Sequence, residues 1–298
     1  MKWTIGLSLI LAVSWLTGSL TLSYAQSPAK ADAPTFYHLV PGTYVNGWPR
    51  FTIQYPKDWV EVRPRPDQLF RASAPGPAHD RQFWVAAGGS TTPLNKTADY
   101  FLKLWSSIGT DAAVVSDKPS RLRDGTPAQE VEYRFVLGGV PVNIMVLAMT
   151  RSGTITYTFV ESRDAKIGED LRAILYSVEF QPGFDEPVKL PPDVQTFLDE
   201  YCRANVAHDM EKGMSYWSDR YLYSGMRKGE IERYLKPGID RITSFEMIIT
   251  DFIPAGDTAY LTGYASGNLG KGGSLLNTMI IKENGQWRWY GNQRDAAP

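Results

Sequence analysis

The 298-residue sequence has one cysteine, three histidines and almost no net charge. A single thiol, Cys202, excludes an intramolecular disulfide, so folding must rest on packing alone. Cys202 lies one turn after Leu198 on a predicted helix and is expected to be a buried, inert thiol. His38, His79 and His208 show no ligand spacing and no Cys-x-x-Cys is present, so no metal site is expected. Lys+Arg of 31 against Asp+Glu of 32 leaves −1, which gives nucleic acid no electrostatic footprint. The sequence also lacks G-x-S-x-G, a Walker loop and a dinucleotide fingerprint after a strand, so no cofactor is expected. NLGKGGS (Asn268 to Ser274) is glycine-rich but falls between strands, where no helix dipole favours an anion. It reads as a hairpin loop.

Long apolar runs are confined to the start. Residues 1–25, MKWTIGLSLILAVSWLTGSLTLSYA, carry Lys2, an apolar stretch from Ile5 to Leu22 and the small-x-small Ser23-Tyr24-Ala25. This is the pattern of a signal peptide cleaved after Ala25, and it predicts a periplasmic or secreted protein. An uncleaved anchor is the alternative. No later stretch is apolar enough to span a bilayer, so no stable membrane span is expected after cleavage. Residues 26–38 are small, polar and proline-containing and read as a tether.

What is present is alternation. FTIQYP and QFWVAAG read as half-buried strands. From Thr97 the period becomes helical, with Tyr100, Phe101, Leu104, Trp105 and Ile108 on one face. Gln129 to Val136, PVNIMVLAM and TITYTFV follow as antiparallel strands joined at Gly138-Gly139 and Ser152-Gly153. A helix with Ile167, Leu171, Ile174 and Leu175 on one face precedes SVEF. This order, opening on YPKDW and closing on SVEF, resembles the PsbP-like fold over residues 39–181. The resemblance implies a scaffold for binding or assembly and supplies no catalytic residue.

Residues 182–193, PGFDEPVKLPPD, hold four prolines without apolar period and read as an interdomain linker. In 194–294, Val194, Phe197, Leu198 and Tyr201 form the stripe of an amphipathic helix. Asp209 can cap a second helix, 228–235 suits a third, and four strand patterns follow. Asn284-Gly285 is a hairpin turn between the last two. VQTFLDEYCRANVAHDMEKGMSYWSD, GDTAYLTGYASG and KENGQWRWYG together resemble the nuclear transport factor 2-like, or SnoaL-like, fold. That resemblance implies a cystatin-like cone of curved sheet and helix enclosing a pocket. The whole is expected to be α+β: two domains, each an antiparallel sheet packed with helices.

The expected function is non-catalytic: an exported binding or assembly protein of the bacterial envelope, recognising a small apolar ligand or a protein partner. Tyr201, Tyr216, Trp217, Tyr221, Tyr223, Trp287 and Trp289 are the candidate ligand-binding residues. Each has an ordinary reading as core, and the sheet face of the second domain could also serve a homodimer. The alternative is an isomerase or hydrolyase in the cone, with Tyr201 as a hydrogen-bond donor and His208 or Asp219 as base. RYLYSGMRKG lacks the carboxylate that a steroid-isomerase-like base would require. In QWRWYGNQR, alternation puts Trp287 and Trp289 on one face, Arg288 and Tyr290 on the other. It leaves open what Asn292-Gln293-Arg294 meet.

Overall fold

The computed structural model describes residues 42–295 except 66–67, 77–79, 89–92, 165, 269 and 273–276. The signal segment, the tether, His38 and His79 lie outside the described residues, as do parts of the glycine-rich loop.

The first unit carries β1 (Thr43–Asn46), β2 (Phe51–Gln54), β3 (Val60–Glu61), β4 (Phe70–Ser73) and β5 (Arg81–Gly88). Helix α1 (Thr97–Ile108) leads into β6 (Thr110–Arg121), β7 (Pro127–Leu137), β8 (Val140–Arg151) and β9 (Thr154–Ser162). Helix α2 (Glu169–Tyr176) and β10 (Glu179–Phe180) close the unit. Seven strands form an antiparallel sheet in the order β3-β4-β5-β9-β8-β7-β6, and β1-β2-β10 form a small second sheet. The large sheet is covered on both faces. On one, Phe101 and Trp105 of α1 pack with Trp84, Tyr133, Phe135 and Phe159. On the other, the small sheet and α2 bury Phe51, Ile53, Leu171 and Leu175 against Phe83, Met145 and Leu147. Central β8 is therefore buried on both sides, which is why it reads as a continuous apolar run.

The second unit begins with α3 (Pro192–Val206) and α4 (Met210–Ser215), where the Asp209 side chain accepts from the Lys212 amide as an N-cap. Next come β11 (Trp217–Tyr223), β12 (Met226–Arg227) and α5 (Lys228–Leu235). The remaining strands are β13 (Phe245–Ala255), β14 (Thr258–Gly267), β15 (Gly270–Gly272), β16 (Asn277–Glu283) and β17 (Gln286–Gly291). The sheet order is β12-β11-β17-β16-β14-β13, with β15 on β14. Strands β11 and β17 pair in parallel, an arrangement that requires Gly291. Its φ is +84°, and a Cβ there would lie 2.1 Å from the Leu222 carbonyl oxygen.

The fold class differs from the expectation. Strand accounts for 47% and helix for 24% of the structure, so the chain is mostly β, with large antiparallel sheets and few helices. The expected helices are present; the difference lies in strands that the α+β expectation did not include, β1, β4, β6, β11, β12 and β15. Strand β6 is exposed along its length and so has no apolar alternation. Strand β11 has an irregular burial pattern, and its register with β17 shifts between Trp217 and Leu222, so it carries no simple alternation.

Candidate functional site

Three places in the molecule gather side chains that carry chemistry. The first is the interior of the second unit, where α3 lies on the inner face of the sheet. Tyr201, Tyr216, Trp217, Tyr221, Tyr223 and Trp289 are all buried there, with Trp287 partly buried beside them. Six of these seven candidates fall in the core itself. The Tyr201 ring lies 5.5 Å from Trp289, 6.2 Å from Tyr216 and 6.3 Å from both Trp217 and Phe245, mostly edge to face. Trp217 and Tyr221 meet at 4.7 Å, and Phe197 and Trp289 at 5.0 Å. These are packing distances between rings, so the aromatic side chains pack on one another in the interior of the second unit. Burial pushes the Tyr201 hydroxyl well above its ordinary range, and the Cys202 thiol up to about 12, so both stay protonated.

The other two catalytic candidates lie apart from Tyr201. His208 ends α3 with φ +58°, is exposed, and its Nε2 is 2.9 Å from the Ile242 carbonyl oxygen. Asp219 is exposed and pairs with Lys228 at 2.8 Å, a contact that holds its carboxyl below the usual range. A base in water, already paired, does not face the aromatic interior. Trp287 donates to Asp193 at 2.8 Å, and Lys282 reaches the same carboxylate at 2.9 Å. Together they staple the start of α3 to the last hairpin.

The second place is an open cavity of about 720 Å³ between β6, β7 and α2, lined by charged groups. Glu130, almost fully buried, receives Arg172 at 2.9 Å, Lys118 at 3.1 Å and the Tyr176 hydroxyl. Arg172 also pairs with Glu132, and Ser120 lies 2.8 Å from the Tyr176 oxygen. Burial pushes the Glu130 carboxyl up, but the Tyr176 and Lys118 hydrogen bonds and the two cations outweigh it and lower it. Sequence reading missed this cluster. Its available signal was Glu130-x-Glu132 on one strand and Arg172-x-x-x-Tyr176 on one helix. Among the described residues, no group of three or more His, Cys, Asp and Glu could hold a metal ion.

The third place is the junction between the two units. The turn Gly47-Trp48-Pro49-Arg50 crosses the outer face of the second sheet. Trp48 packs on Tyr264 with centroids 4.2 Å apart and the rings tilted by 33°, and Arg50 pairs with Asp251 at 3.2 Å. A Cβ on Gly47 would touch Asn277 at 3.0 Å. Asp251, Thr262 and Asn277 form one cross-strand row, so the turn lies along a row of the sheet. This patch of the face, open to a homodimer in the sequence reading, is occupied by the chain itself. The Val188 amide donates to Ile249 at 2.9 Å, tying the 182–193 segment to β13. Arg63 also pairs with Glu230, and Arg294 with Glu61, between the two units. Ser224 donates to Glu61 at 3.3 Å. Of the tail, Arg294 therefore meets the first unit, while Asn292 and Gln293 bond to Ser224, Arg220, Leu222 and Tyr290 of the second. Among the described residues, no helix is long and apolar enough to cross a membrane.

Comparison with known proteins adds little. No family model matches the sequence, and no curated protein matches it. Among solved structures, the chain is similar to a protein of unknown function from Pseudomonas aeruginosa, 14% identical over 44% of this chain and 92% of that one, with a TM-score of 0.30. A structure from Bacteroides thetaiotaomicron is 12% identical over 83% and 88%, with a TM-score of 0.33. A cystatin-like protein from Ruminococcus gnavus is 10% identical over 65% and 68%, with a TM-score of 0.18. Superpositions this loose fix neither a fold family nor a function.

Proposed function

We propose that the chain is an exported, non-catalytic binding or assembly protein of the bacterial envelope, and that its ligand is a protein partner. The observation that carries this reading is the self-filled aromatic interior of the second unit. Tyr201, the candidate donor of an isomerase or hydrolyase, is 2% exposed and enclosed by four aromatic rings. A small apolar ligand would have to displace packed side chains, each contributing on the order of 2 kcal/mol by its burial. The cavity beside α2 is lined mainly by charged and polar groups, which suit such a ligand poorly. Export rests on the leader, and the scaffold role agrees with the PsbP-like and SnoaL-like resemblances of the two halves.

The test is affinity capture with the purified protein against envelope extract, run beside mass analysis of small molecules that copurify. Saturable recovery of one stoichiometric protein neighbour, abolished by competition with untagged protein, supports the proposal. A bound small molecule with no protein neighbour contradicts it and points to a ligand carrier.

A further inference from the structure

We draw no further inference here: the strongest candidate, the open cavity between β6, β7 and α2, is a charged cluster whose buried Glu130 and Glu132 are already bonded by Lys118, Arg172 and Tyr176 of the same chain, and nothing in the structure shows what would enter it.

Discussion

Single residues in this protein owe their state to what encloses them, and Glu130 is one such residue. Glu130 is buried but receives three donors, so its carboxyl is lowered. It contributes stability that is complete above the ordinary value of 4.5 and disappears as pH falls through that value and below. The stability difference between wild type and Glu130→Gln, followed by urea unfolding, should therefore shrink steadily below that pH. Removing Arg172 instead takes the paired cation from Glu132 and one of three donors from Glu130, which keeps Lys118 and Tyr176. Arg172→Ala should cost about 3 kcal/mol at neutral pH, with most of the loss recovered when Glu132 is replaced by Gln as well. Equal losses with and without the second change would show that Arg172 acts through packing rather than charge.

At the scale of elements, β11 and β17 depend on one glycine. Gly291→Ala combines a left-handed backbone with a carbonyl 2.1 Å from the new methyl. It should cost well over about 2 kcal/mol in chemical denaturation. Gly285→Ala also places alanine at positive φ, but nothing lies within 4 Å, so it should cost about 1 kcal/mol. Similar losses for the two would remove the close approach from the account. Much of this layer was legible in the sequence. Val131, Tyr133 and Phe135 marked one face of β7, the apolar run marked β8, and Asn284-Gly285 marked the last hairpin. The stripe of α3 placed Tyr201 in the core. Two things were not legible. Strand β6 is mostly exposed, with only Ala112, Ser116 and Ser120 half-buried, and so leaves no apolar alternation, while a bulged register breaks the alternation of β11. Local pattern also could not show that Trp48 meets Tyr264, because residues 216 apart in sequence share no periodicity.

For the whole molecule, the junction decides whether the chain behaves as one body or two. Trp48 is 3% exposed, Arg50 bridges to Asp251, and Glu61 and Arg63 add two more pairs. The wild type should therefore melt in one calorimetric transition. Trp48→Ala removes the ring packed on Tyr264 and should lower stability by about 3 kcal/mol and resolve two transitions. A single, merely shifted transition in that variant would mean that the units are coupled elsewhere. The central claim, however, concerns the interior. Rings that pack on one another in the second unit leave a small ligand no room among them, which directs the proposed recognition to the surface of the protein. The most direct measurement is native mass spectrometry of the protein purified under gentle conditions. The predicted result is the polypeptide mass alone, unchanged after incubation with a panel of small apolar compounds. A stoichiometric small-molecule adduct, lost in Tyr201→Ala, would contradict the account.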